Sequence, residues 1–205
     1  MRPPFIAATT VVFAALTLAW LQPLLPALST GYLVPLDGPG PRDGTNVLVT
    51  SWTLAWSSHA LLTDPLGLFD ANVFHPLRMT LAFFDPRLAS SLLVLPVDVA
   101  LQDPLVDHNV LVAASFVLSG LGTALLVREL GWSVPAAWLA GSLVAFNPFR
   151  AAEIGDVNAL ATHWTPFAFF ALVRCLHRGR GALLVAATGA LVALMLLWRS
   201  RRRRG

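Results

Sequence analysis

Apolar runs long enough to cross a bilayer recur along this chain, at residues 5–29, 106–127, 160–176 and 182–198, with a shorter run at 134–146. A hydrocarbon core about 30 Å thick takes about 20 helical residues. Inside lipid each backbone polar group must be satisfied within the protein, so runs of this kind are helices. Only 12% of the residues are charged, against about 25% in soluble domains. The expectation is an all-α, polytopic transmembrane bundle. A long first extracytoplasmic loop would carry interfacial helices.

The expected layout is a single membrane domain over 1–205. The first span occupies 1–29, the extracytoplasmic loop 30–105, four further spans 106–198 and an Arg-rich tail 199–205. The first run is too long for a signal-peptide core and lacks a clear cleavage site, so it reads as a retained anchor. Arg2 before it and the short basic connection 177–181 belong in the cytoplasm by the positive-inside rule. The loop 30–105 and the segment 147–158 then lie outside together. Five spans would leave the tail outside as well. Counting 87–101 as a span returns the tail inside but moves Arg174, Arg178 and Arg180 out, and both topologies stand.

All 14 basic residues are Arg, which with the Ala, Leu, Val and Pro content points to a GC-rich bacterial source. The net charge of +3 comes largely from the tail Arg199-Ser-Arg-Arg-Arg-Arg204. A terminal cluster beside an apolar run is a membrane-end anchor, and no nucleic-acid partner is expected. Cys175 is the single cysteine, which excludes an intramolecular disulfide and a thiolate metal cluster. No phosphate-binding glycine loop, dinucleotide fingerprint, nucleophile elbow or HExxH motif occurs.

Little else in the chain can do chemistry besides the polar insert of residues 30–88. It holds Asp37, Asp43, Asp64, Asp70 and Asp85, five of the 11 acidic residues. Residues 47–62 are predicted to form a helix lying in the membrane surface, started by Thr45 or Asn46 and ended by Asp64-Pro65. Trp52 and Trp56, one turn apart, would then sit at headgroup depth. Residues 87–101, with Pro96 and Asp98, read as a second interfacial or re-entrant helix.

The order of short motifs resembles the N-terminal part of the GT-C superfamily of polytopic membrane glycosyltransferases, among them the protein mannosyltransferase-like and aminoarabinose transferase-like enzymes. The motifs are Trp52-x-x-x-Trp56, Pro65-Leu-Gly-Leu-Phe69, Asp70-Ala-Asn-Val-Phe-His-Pro76, Asn147-Pro148-Phe149-Arg150, Gly155-Asp156 and His163-Trp164-Thr-Pro166. The resemblance implies sugar transfer from a polyprenyl-phosphate donor on the outer face of the bacterial cytoplasmic membrane. It implies an acidic base or metal ligand in the first external loop, at Asp43 or Asp37. The second external loop would contribute Arg150, as a grip on the lipid phosphate, and Asp156, which stands where many relatives have His. His59, one turn beyond Trp56, is a further substrate-binding candidate. Oxygen ligands of this kind suit Mg²⁺ or Mn²⁺. Full relatives carry more spans and a C-terminal region that completes the site. The expectation is therefore a truncated or split member, with a partner subunit completing the fold. The alternative is a non-catalytic remnant or membrane-assembly partner.

Each candidate also has a plain structural role. Asp37-Gly38 and Asp43-Gly44 are natural turns, Arg150 could anchor at headgroups, and His75 and His163 have no zinc-spaced partner. Asp98, Asp103, Asp107, His108 and Asn109 cluster at a span boundary, where ionisable groups are costly in lipid.

Overall fold

The computed structural model describes residues 3–33 and 44–179, and over these the chain is helical, without strands. Asp37, Asp43, the last apolar run and the Arg-rich tail lie outside the described residues. Eight α-helices are described. They are α1 (Pro3–Trp20), α2 (Thr45–Thr63), α3 (Leu88–Leu101), α4 (Pro104–Glu129), α5 (Val134–Ala145), α6 (Pro148–Ala152), α7 (Val157–Leu160) and α8 (Trp164–His177). Among the described residues, three helical stretches are long and apolar enough to cross a membrane: Pro3–Trp20, Pro104–Glu129 and Val157–His177. This is a membrane protein.

Helix α4 is the axis, with α1, α2, α3, α5 and α8 all packed on it. Its start is fixed by Asp103, whose carboxylate accepts from the N–H groups of Leu105 and Val106, and by Pro104 in the first turn. Its 26 residues make it the longest described helix, about 39 Å at 1.5 Å per residue. Helix α5 has 12 residues, about 18 Å, less than a bilayer core.

Small residues let α1 approach. Phe13 is fully buried on α1, and its ring fills the space over Gly120 of α4 and Gly141 of α5. A Cβ at Gly120 would sit 2.3 Å from Phe13 Cδ1, and one at Gly141 2.4 Å from Cζ. Close backbone approach at small residues is how helices associate in lipid, where no hydrophobic drive acts between them. Trp138 Nε1 adds a hydrogen bond to Thr9 Oγ1 at 3.1 Å.

Helix α1 ends at Trp20, well short of the expected residue 29, and a turn-rich stretch with Pro23 and Pro26 follows. Asn109 of α4 ties this stretch down, donating to the carbonyls of Leu28 and Gly31, both at 2.8 Å. Helix α2 starts from Gly44 rather than from a Thr45 or Asn46 cap. Gly44 has φ +73, and an added Cβ would meet the Tyr32 ring, so only glycine fits there.

The indoles of α2 are half-buried and hydrogen-bonded within the protein. Trp52 Nε1 donates to Asn72 Oδ1 at 3.1 Å and Trp56 Nε1 to the Leu68 carbonyl at 2.8 Å. Both pack on a small core of Ala60, Leu68, Ala71 and Leu81. The opposite, small-residue face of α2, with Thr50, Thr53, Ser57 and Ser58, is buried, and the helix packs against α3 and α4.

Candidate functional site

Two segments remote in sequence meet at one open cleft. Residues 85–90 form one wall, and Val157, Asn158, Ala161 and Trp164 form the other. The volume is about 370 Å³, within the usual size of small-molecule sites. Arg87 bridges the walls, its Nε donating to Asn158 Oδ1 at 3.0 Å.

The local sequence explains how Arg87 gets there. Pro86 cannot continue a helix from its N-terminal side, so α3 begins just after Arg87. The Arg87 carbonyl accepts from the Ser91 N–H at 2.9 Å, and the Pro86 carbonyl from Ser57 Oγ of α2 at 3.4 Å. Arg87 itself has φ 43 and ψ 37, the left-handed region, which costs a non-glycine residue on the order of 1–3 kcal/mol. A cation at a helix N-terminus is also disfavoured by the helix dipole. Burial pulls the guanidinium below its usual range, opposed by the nearby carboxylates of Asp85 and Asp156. His108 of α4, buried beneath, is within its electrostatic reach.

Asp156 therefore belongs to this cleft's field. It also has a structural task, since its carboxylate caps α7 by accepting from the Asn158 N–H at 2.8 Å. One acid thus orients the residue that holds Arg87.

Arg150 sits behind this wall and is 2% exposed. One Nη donates to the Leu160 carbonyl at 3.2 Å and to Thr162 Oγ1 at 2.9 Å, and the other to Ser115 Oγ of α4 at 2.8 Å. Its guanidinium lies 4.8 Å from the centroid of the Phe116 ring, a cation–π contact that is worth more once desolvated. Burial pulls its pKa down to about 10. Asn147 starts its helix, accepting from the Arg150 N–H at 3.0 Å. His163 is buried alongside, with Nδ1 3.1 Å from the same Leu160 carbonyl and its ring 4.7 Å from that of Trp164. The result is a polar knot joining α4 to residues 160–163, the back of the cleft wall.

The remaining candidates lie elsewhere. His59 is exposed on α2, its ring 6.1 Å from that of Trp56, and it does not line the cleft. His75 is exposed in the segment between α2 and α3. Asp107 is buried in the first turn of α4, beside Asp98. Among the described residues, no three His, Cys, Asp or Glu side chains gather as a metal site. The donor pair that the resemblance implies for Mg²⁺ or Mn²⁺, Asp37 and Asp43, lies outside the described residues.

Sequence reasoning missed Arg87 and Asn158. A signal existed in Asp85-Pro86-Arg87: a cation set directly before an apolar helix, where a cap or an acid is the usual choice. Comparison with protein-family models, curated proteins and solved structures finds no match to this chain.

Proposed function

We propose that the chain is a GT-C-type glycosyltransferase-like protein that takes a polyprenyl-phosphate-linked sugar on the outer face of the bacterial cytoplasmic membrane. The observation that carries the reading is the Arg87 cleft. The two segments that the motif order assigns to the donor side, the first loop and the 147–163 region, border one cavity that holds a cation. A guanidinium with its Nε already anchored keeps its outer nitrogens for paired contacts with phosphate oxygens. Asp85 and Asp156 flank it and supply carboxylates to accept a proton or orient a sugar hydroxyl. Leu88, Ala89, Val157, Ala161 and Trp164 supply an apolar lining for the lipid carrier or a sugar face. Asp43 and Asp37 stay in this proposal as the base, or as the ligands of Mg²⁺ or Mn²⁺. Such a cation would neutralise the departing phosphate.

A second reading, a non-catalytic partner in a membrane assembly, is supported by α8, which has no buried residue along Trp164–His177 and so offers a whole face to another helix. The two readings separate in one assay. Membranes holding the full chain would be supplied with polyprenyl-phosphate sugars, and transfer and donor retention measured. Under the first reading Arg87→Ala lowers donor retention at least tenfold, and Asp43→Asn lowers transfer by about 10²–10⁴-fold, the usual cost of losing a general base. Retention and transfer that survive all of Arg87→Ala, Asp43→Asn and Asp37→Asn would sink the enzymatic reading.

A further inference from the structure

Between α2 and α3 the chain builds a tip whose large apolar side chains face outward. Phe74, Leu77, Met79 and Phe83 are each more than half exposed, and Leu66 is 99% exposed. The tip is ordered from beneath. Thr80 Oγ1 donates to the Ala71 carbonyl at 3.0 Å, the Leu81 N–H to the Phe69 carbonyl at 3.0 Å, and the Met79 N–H to Asp70 Oδ1 at 2.7 Å. Phe74 and Met79 both take left-handed backbone angles, φ 59 and φ 55, which a bulky residue adopts only where its surroundings hold it. Phe74 stacks on Phe84 with centroids 6.0 Å apart, and Phe84 in turn packs edge-on against Trp52 at 5.1 Å. Strained backbone and stacked rings thus support an apolar surface that faces away from the core.

Beside this surface is a polar hollow of about 560 Å³, lined by Asp70, Asn72, His75 and Arg78 among others. Arg78 is exposed and has no ion pair or hydrogen bond among the described residues. One oxygen of Asp70 is already spent on the Met79 N–H. Exposed apolar patches of this kind mark interaction sites. Aromatic and aliphatic residues around a cation are the composition of a surface that enters the headgroup region of a bilayer, with the cation at the phosphates. Three helices among the described residues are long and apolar enough to cross a bilayer, so a membrane is the apolar surface this protein already meets.

We propose that residues 74–83 dip into the membrane surface and that the hollow at His75 and Arg78 receives the phosphate of an anionic lipid headgroup. The inference does not depend on the sugar-transfer reading. A neutral-lipid bilayer would hold the tip through its apolar side chains alone. An anionic lipid adds the Arg78 contact, worth about fivefold for one cation near a charged surface.

The test uses the full chain with Cys175→Ser, reconstituted into vesicles of phosphatidylcholine with phosphatidylglycerol. A fluorophore is attached at Leu77→Cys or, separately, at Phe83→Cys. Headgroup-level spin labels carried on either lipid should quench both probes, with about a fivefold preference for labelled phosphatidylglycerol. Arg78→Ala should remove that preference and leave the quenching. Quenching by aqueous iodide alone overturns the dip. A probe shielded from both lipid and iodide also overturns it, because another protein surface, from this chain or a second copy, then covers the tip. Equal quenching by the two lipids, unchanged by Arg78→Ala, overturns the headgroup site.

Discussion

Arg150 and Arg87 stand on opposite sides of the same wall, and the contrast between them separates scaffold from site. Arg150 is enclosed, its Nη donors are spent on Ser115, Leu160 and Thr162, and a phenyl ring covers its face. Arg87 is half-buried at an open cleft, held by one side-chain hydrogen bond in a left-handed backbone. The first cation turns its Nη groups to protein acceptors and leaves its Nε enclosed without a partner, whereas the second keeps donors facing an open cleft, free for a ligand. A buried charge without a carboxylate partner is expensive. Its retention is intelligible if residues 160–163 must be fixed to α4, because they back the surface that Asn158 presents to Arg87.

The contrast can be broken at several points. Arg150→Ala should have the largest effect, a loss of about 3 kcal/mol or more, since it leaves buried oxygens unpartnered and opens a cavity. Unfolding in mixed detergent micelles measures this. Unchanged stability together with lost donor retention would mean that Arg150 serves the ligand after all. Arg87→Ala should weaken donor retention about 10–100-fold, the range of one charge-assisted contact pair, and shift the unfolding midpoint little. Asp156→Ala should cost about 1 kcal/mol through the lost cap of α7, and Asp156→Asn should restore most of it, since Asn caps equally well. If Asp156→Asn regains stability but not transfer, the charge acts in the cleft as well as at the cap. Arg87→Gly should give a small gain in stability, up to about 1 kcal/mol, as glycine relieves the left-handed strain. That gain, paired with the same loss of donor retention as Arg87→Ala, would show that the strain is kept for the side chain.

The helices were legible in the sequence to the extent that apolar periodicity and punctuation specify them. The run at 106–127 became Pro104–Glu129, extended by a proline and an aspartate cap, and the segment at 47–62 became Thr45–Thr63. The first run was misjudged at its end because hydropathy continues through residues 21–29 although two prolines interrupt the helix. The hydrogen-bond acceptors of the α2 indoles come from a segment 12–20 residues further on, which the one-turn spacing of Trp52 and Trp56 did not reveal. Apolar spacing carries no information about which neighbour will cover a face. The cleft was hidden for the same reason. Arg87 and Asn158 are 71 residues apart, and nothing local to either predicts the pairing. Arg150 was visible as a cation at a membrane edge, but its burial depends on Ser115 and Phe116, which lie 35 and 34 positions away on α4.

The fit of Phe13 between Gly120 and Gly141 also bears on how the protein is made. During synthesis α1 is made before α4 and α5, while these docking partners are still roughly a hundred residues from being translated, a wait of several seconds at about 5–20 residues per second. Meanwhile lipid must solvate α1 as a lone helix, which its nearly unbroken apolar surface allows. Assembly can close only after α5 has arrived, because one ring must satisfy two glycines on separate helices. Helix α1 is thus made ahead of the helices that lock it, and a bulky residue at either glycine would leave it without its docking site.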